Sequence, residues 1–131
     1  MQRFLLDTHT LIWYLEGNPQ LSNPVRELLN RGDVRFFVSA VSWWEIALKS
    51  SLGKLQTALP LTEMLQESNS RYLEWLPISS THILRVSQLP FPANGHRDPF
   101  DRLLIAQAQV EDMILLSRDS KFDDYPVRRH F

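Results

Sequence analysis

Acidic residues follow the ends of two short apolar runs. Asp7 comes directly after the run at 3–6, and Asp119 lies just beyond the run at 113–116. Runs of this length without polar alternation are typical of strands buried on both faces. Because ligands collect at the carboxyl ends of strands in open α/β sheets, we expect both carboxylates at one edge of a sheet. Taken singly, each acid suits a turn or a helix cap better than a chemical role.

Glu45 lies on a predicted helix at 39–52 that is apolar almost all round. The stripe expected to be buried comprises Val41, Trp44, Leu48 and Leu52. A carboxylate bordering that stripe must reach a solvated cleft, a counter-charge or a metal ion. Two structural alternatives stay open, a capping box from Ser42 to Glu45 and an i,i+4 ion pair with Lys49 worth ~0.3–0.5 kcal/mol.

A further pair of acids marks the start of a helix predicted at 98–110. Asp98 followed by proline is typical of an N-cap, and we assign Asp98 mainly to capping. Asp101 occupies the third helical position, where the helix dipole favours an acid. The residues on the same stripe as Asp101 are Leu104, Ile105 and Ala108. Because these residues are apolar, their position on the same face of the helix predicts that Asp101 points inward.

The acids carry more information as a set than singly. If Asp7, Glu45, Asp101 and Asp119 meet at one sheet edge, their charges repel, raise their pKa values and destabilise the fold. A bound cation removes that conflict, and oxygen-only ligands select a hard ion such as Mg²⁺ or Mn²⁺. The chain has no cysteine and no histidine cluster at metal-ligand spacing, which disfavours zinc.

Length and composition limit the class of protein. The 131 residues suit one domain spanning 1–131, and 44% hydrophobic with 22% charged residues excludes a disordered chain. The formal net charge of -1 means that any nucleic-acid binding depends on local patches. The sequence has no apolar run of bilayer length and no signal-peptide pattern, so we expect neither membrane insertion nor signal-directed secretion. A cytoplasmic location is compatible with this.

Short apolar runs alternate with helical patterns along the whole chain. This alternation predicts an α/β fold with a central parallel β-sheet flanked by helices. Strands are predicted at 3–6, 34–38, 72–78 and 113–116, with a last one through Val127, and helices at 10–16, 23–32, 39–52, 61–70, 81–89 and 98–110.

Four segments together resemble one family. They are LLDTH at 5–9, SAVSWWEIALK at 39–49, DPFDRLLIAQA at 98–108 and LLSRD at 115–119 followed by Phe122. In this order and spacing they resemble PIN-domain proteins, and among these the VapC toxins of bacterial type II toxin–antitoxin systems. The similarity extends over nearly the whole chain, so it describes a PIN-like nuclease domain at 1–131.

The resemblance implies a fold, an activity and partners. It implies a five-stranded parallel sheet of order 3-2-1-4-5 and a Mg²⁺- or Mn²⁺-dependent endoribonuclease that cleaves RNA with a metal-activated water. The catalytic and metal-binding acids would correspond to Asp7, Glu45, Asp101 and Asp119. It also implies a cytoplasmic homodimer inhibited by a VapB-like antitoxin.

Other classes of activity fit the residues less well. A haloacid-dehalogenase-type phosphatase needs a second aspartate where this chain has His9, and a receiver domain needs an aspartate where it has Ser39. A metal-independent ribonuclease would use two histidines for acid–base chemistry, but no spacing recommends a pair. The four histidines are His9, His82, His96 and His130. A non-toxin PIN nuclease acting on other RNA or DNA, and an inactive binding module, remain alternatives.

Basic and aromatic residues suggest contacts outside the acids. The residues that could line a phosphate track are Lys49, Lys54, Arg97, Arg102, Arg118 and Lys121, with Arg128 and Arg129 in the tail. Trp43 and Trp44 are adjacent on a helix and therefore ~100° apart, so they cannot face the same direction. One is expected in the core and the other against a partner, unless a neighbouring helix covers both.

Overall fold

Five parallel strands form the centre of the molecule. A computed structural model describes residues 1–131, with strands β1 Arg3–Leu6, β2 Arg35–Ser39, β3 Glu74–Leu76, β4 Ile114–Leu116 and β5 Arg129–His130. Every pairing is parallel, and the strand order is β3-β2-β1-β4-β5. The predicted fold class and strand order are therefore confirmed.

Six helices connect and cover the strands. They are α1 Thr8–Glu16, α2 Asn23–Leu29, α3 Ala40–Ser51, α4 Leu61–Ser70, α5 Ser80–Gln88 and α6 Pro99–Glu111, and a short 3-10 helix follows at Ser120–Asp124. Several of these helices begin with a side-chain cap. In α3, for example, the Ser39 hydroxyl accepts the Val41 amide hydrogen. No helix combines the length and apolarity needed to cross a membrane.

The core lies in two layers, one on each face of the sheet. Along β1, Phe4 and Leu6 pack with α1, α2 and α4, whereas Leu5 points to the other face and packs with α6. This burial on both faces explains why the central strands are apolar without alternation. The helix α3 contributes side chains to both layers. Trp43 and Ile46 belong to the first cluster, and Val41 belongs to the second.

The buried face of α3 is not the one predicted. Its buried residues are Val41, Ser42, Trp43, Glu45 and Ile46. Trp44 is 57% exposed and Leu52 59% exposed, so the stripe predicted to be buried is wrong beyond its first member. The reason is that α3 contacts both layers, which turns the side of Trp43 inward and leaves the side of Trp44 outside.

The last strand also differs from the prediction. It consists of Arg129 and His130, paired with Leu115 and Leu116 of β4, and does not pass through Val127. Val127 instead packs its side chain, partly buried, against the α6 layer. A polar edge strand of two residues has no hydrophobic signature, since its register is set by hydrogen bonds to β4.

The two adjacent tryptophans provide a test of the observed α3 orientation. Trp43 is 6% exposed and stacks on Trp75 at 6.5 Å between ring centroids. We expect Trp43→Ala to lower the free energy of unfolding by about 3–5 kcal/mol, the usual range for a buried aromatic truncation. The matched variant Trp44→Ala should lower it by about 1 kcal/mol or less, because most of that ring is solvated. Urea denaturation of both variants measures the difference, and equal losses would contradict this orientation.

Candidate active site

Asp7 links the end of β1 to the start of α1. Its side chain caps α1, with Oδ1 accepting the Thr8 amide hydrogen at 2.8 Å. Its Oδ2 accepts the Ser117 hydroxyl hydrogen, also at 2.8 Å, across from the end of β4. Burial raises the pKa of the Asp7 carboxyl to about 6, although these hydrogen bonds act in the opposite direction. The carboxyl is thus held firmly in an environment that disfavours its charge.

Glu45 is buried on the inner side of α3. Its Oε1 accepts the Thr8 hydroxyl hydrogen at 2.6 Å, and its Oε2 forms an ion pair with Lys49 one turn later. This contact confirms the i,i+4 ion pair between Glu45 and Lys49, one of the two structural alternatives that the sequence left open. The capping box is wrong, because α3 begins after Ser39 and the Ser42 hydroxyl lies 3.0 Å from that of Thr8.

The start of α6 carries two acids with different surroundings. Asp98 is the N-cap, as predicted, and its Oδ1 accepts the Asp101 amide hydrogen at 2.9 Å. Asp101 lies on the inward side, and its Oδ2 is 2.9 Å from Nε2 of His96 in the preceding loop. No protein group donates a hydrogen bond to Oδ1 of Asp101, so this oxygen remains available to a ligand.

The pKa of Asp101 reports how the acids are grouped. Burial, and after it the neighbouring negative charges, together raise this pKa from the ordinary 3.8 to about 8. Those charges belong to Asp7, Asp98, Glu45 and Asp119. Such an effect requires the carboxylates to lie within electrostatic range of one another. The sequence-based expectation that these acids converge is therefore met, while their catalytic and metal-binding roles stay predictions.

Asp119 follows β4 and begins the 3-10 helix. Its Oδ1 accepts the Lys121 amide hydrogen at 3.0 Å, and its own amide donates to the Ser117 hydroxyl at 3.0 Å. Because that same hydroxyl donates to Asp7, Ser117 fixes the relation between the acids at the ends of β1 and β4.

The acids share one cleft of about 650 Å³ at the carboxyl edge of the sheet. The carboxylates that line it are Asp7, Glu45, Asp98, Asp101 and Asp119. The other wall includes His9, Trp13 and Arg118. A groove of about 670 Å³ beside β3 is similar in size, but it is mainly apolar and its charged residues, Arg35 and Glu74, pair with each other. The acidic cleft is therefore the candidate active site.

The donor set fits a hard divalent ion. All five carboxylates offer oxygen, which Mg²⁺ and Mn²⁺ prefer. A cation would relieve the repulsion that, after burial, raises the pKa of Asp101. No three of these side chains are grouped closely enough to form a ready-made metal site. Their oxygens instead accept hydrogen bonds from Thr8, Ser117, His96 and Lys49.

Sequence reasoning missed several residues of this site. Thr8 and Ser117 are adjacent to predicted acids or strands, and that adjacency was the available signal. The sequence indicates His96 only as one of four histidines without a recommended partner, and its contact with Asp101 depends on how the loop before α6 folds back. The predicted phosphate track is wrong for Arg102, which is 5% exposed and donates to the backbone of Leu89.

The fold and the cleft together define an α/β protein with an acidic cleft at the carboxyl edge of a parallel sheet. The PIN domain model matches residues 4–127, and the chain belongs to this family. It is also similar to Ribonuclease VapC22 of Mycobacterium tuberculosis, with 26% identity over 121 residues, 92% of this chain and 90% of that protein.

Solved structures share this fold. A VapBC2 structure from Rickettsia felis, bound to a promoter DNA fragment, gives a TM-score of 0.71 at 15% identity and covers 98% of both chains. A DNA-bound VapBC structure from Salmonella typhimurium gives 0.67 at 20% identity, with 99% of this chain and 98% of that chain covered. At these identities the likeness shows the fold alone.

The raised pKa of Asp101 predicts how stability depends on pH without metal. Because the folded pKa of about 8 exceeds the ordinary 3.8, the folded state holds a proton that the unfolded state releases within that interval. The free energy of unfolding should therefore fall as pH rises from about 4 to 8, by up to ~1.4 kcal/mol per pH unit. Asp101→Asn should flatten this slope and be more stable than the parent protein at pH 8.

Urea titrations in EDTA at several pH values measure this slope. Asp112→Asn is the matched control, because the Asp112 side chain is 90% exposed and lies outside the cleft. A slope unchanged in Asp101→Asn would show that this carboxyl does not carry the effect.

Proposed function

We propose that this chain is a divalent-metal-dependent endoribonuclease of the VapC type, the toxin of a toxin–antitoxin pair. The observation that carries this proposal is the convergence of five carboxylates in one cleft at the carboxyl edge of a PIN-domain sheet. The similarity to a protein named as a VapC ribonuclease supports the choice of RNA as substrate. In this proposal residues 1–131 act as a single nuclease domain.

The acids proposed to hold the ion are Asp7, Glu45, Asp101 and Asp119, with Asp98 acting mainly as a helix cap. When bound, Mg²⁺ or Mn²⁺ supplies an activated water and stabilises charge on the scissile phosphate. Thr8 orients two of these acids, because its amide donates to Asp7 and its hydroxyl to Glu45. Lys49 offsets the charge of Glu45, so the cleft is less repulsive to a phosphate than its acid content alone indicates.

The other wall of the cleft provides contacts suited to an RNA strand. The Arg118 guanidinium lies 4.8 Å from the centre of the Trp13 ring and donates to Gln20 Oε1 at 3.3 Å. It forms no ion pair with any carboxylate, although it lines the acidic cleft. An arginine held in place but without a counter-charge is suited to bind a phosphate. The exposed His9 ring, 5.8 Å from Trp13, adds a surface on which a base can stack.

The exposed apolar side of α3 supports a protein partner. Trp44, Leu48 and Leu52 lie outside the core along one side of this helix. Exposed apolar stripes mark protein contacts more often than nucleic-acid contacts. The similar solved structures include VapBC and FitAB proteins and a toxin–antitoxin complex from Klebsiella pneumoniae. We propose a VapB-like antitoxin as partner, a homodimeric assembly and a cytoplasmic location.

Chelation tests the metal requirement directly. Purified protein with Mg²⁺ should cleave single-stranded RNA, and EDTA should abolish the cleavage because the carboxylates alone cannot activate water. Asp7→Asn and Asp101→Asn should each lower kcat/KM on the order of 100-fold, since each removes a charged ligand. Asp112→Asn serves as the control of equal charge change outside the cleft. Cleavage that survives EDTA would instead favour a histidine-based ribonuclease, and cleavage of DNA alone would exclude the RNA substrate.

Charge reversal tests the proposed RNA wall. Arg118→Glu should raise KM for RNA about 10-fold or more, because a phosphate contact becomes a repulsion, and the salt dependence of binding should weaken. Arg31→Glu introduces the same charge change outside the cleft and outside the predicted phosphate track, on a side chain that is 50% exposed. Equal effects of both variants would mean that only overall charge matters.

A further inference from the structure

A chain of hydrogen-bonding groups runs from a buried arginine to the acid at the start of α6. Arg102 Nη1 lies 3.2 Å from the Tyr125 hydroxyl, which lies 2.9 Å from Nδ1 of His96. Nε2 of the same imidazole lies 2.9 Å from Oδ2 of Asp101. We call these four side chains the His96 relay.

The direction of donation in the relay follows from its first member. A guanidinium only donates, so the Tyr125 oxygen accepts from Arg102 and keeps its own hydrogen to give away. Nδ1 of His96 is its nearer acceptor, at 2.9 Å against 3.4 Å for the His96 carbonyl oxygen. With Nδ1 accepting, the ring hydrogen is on Nε2 and is donated to Asp101.

The relay is buried and closely packed. Tyr125 and Arg102 are each 5% exposed, and the His96 side chain is 6% exposed. The His96 ring also contacts Phe122 and Tyr125 edge to face. Rotamers confined in this way hold a hydrogen bond at a fixed angle, which an exposed histidine could not do.

Arg102 is an unusual residue for such a place. It is buried without a carboxylate partner, and two more of its donors bond to the backbone carbonyls of Leu89 and Pro90. Its guanidinium also lies 3.9 Å from the centre of the Phe91 ring. A buried charge is costly unless it is well bonded, and a role in loop anchoring alone requires no link to an acid of the cleft. In this structure Arg102 is connected to Asp101 by hydrogen-bonding contacts through Tyr125 and His96.

We propose that His96 is a positioning residue for the metal centre: the relay holds Oδ2 of Asp101 and leaves Oδ1 for the ion. The inference depends on the proposed function for the identity of that ion. Hydrogen bonds of this kind orient metal-binding carboxylates and raise their affinity, commonly 10–100-fold. The orientation of Asp101 depends on this contact, because its Oδ1 has no hydrogen bond from the protein.

The experiment measures Mn²⁺ affinity by electron paramagnetic resonance, together with the kinetics of RNA cleavage. His96→Ala and Tyr125→Phe should each weaken Mn²⁺ binding about 10-fold or more, the second by removing only a hydroxyl. His96→Gln should recover part of the affinity, because its amide nitrogen can reach the place of Nε2. His82→Gln is the matched control, since His82 is a buried histidine at the start of α5, outside the cleft.

Spectroscopy of the ring provides a readout that does not depend on activity. Nitrogen NMR of the metal-free protein should show His96 with its hydrogen on Nε2 in the parent, and a loss of that preference in Tyr125→Phe. A hydrogen on Nδ1 in the parent would overturn the inference, as would unchanged Mn²⁺ affinity in folded His96→Ala protein. If the parent protein neither binds Mn²⁺ nor cleaves RNA, the proposed function fails together with this inference. If the parent does both and only the variants depart from expectation, the inference alone fails.

Discussion

The mutual repulsion of carboxylates at one sheet edge is the constraint on which the rest of the site depends. The fold places Asp7, Glu45, Asp101 and Asp119 around one cleft and holds them there against their own charge. Each is restrained by a specific donor, so burial and then repulsion raise the pKa of Asp7 and of Asp101 instead of dispersing the side chains. A loss of folding stability at a cluster of like charges is typical of functional sites.

The two-layer core makes this restraint possible. Because β1 and β4 are neighbours buried on both faces, their carboxyl ends cannot move apart without opening the core. The helix α3 contacts both layers and presents Glu45 to the same edge. Glu45 and Asp101 lie on helices, and Asp7 and Asp119 cap the helices that follow β1 and β4. This gives more exact placement than a long loop would provide.

Local patterns in the sequence predict which elements carry the acids, but not the side-chain contacts that complete the site. Apolar runs locate β1 and β4, and the cap at Asp98 locates α6, so the grouping of the acids follows from the topology of parallel strands. The orientation of α3 and the register of β5 depend on tertiary contacts that helical periodicity does not encode. The contact of His96 with Asp101 likewise arises from a loop folding back over five residues and has no local signature.

The ends of β1 and β4 are adjacent in space but distant along the polypeptide. The hydrogen bond between Asp7 and Ser117 joins residues separated by 110 positions, and Asp119 lies beyond it. During synthesis the first acids therefore emerge from the ribosome long before the strand that completes their cleft. A nascent polypeptide, or one terminated before β4, has no assembled acidic centre, so the cell that makes this protein meets that centre only after β4 and Asp119 have emerged.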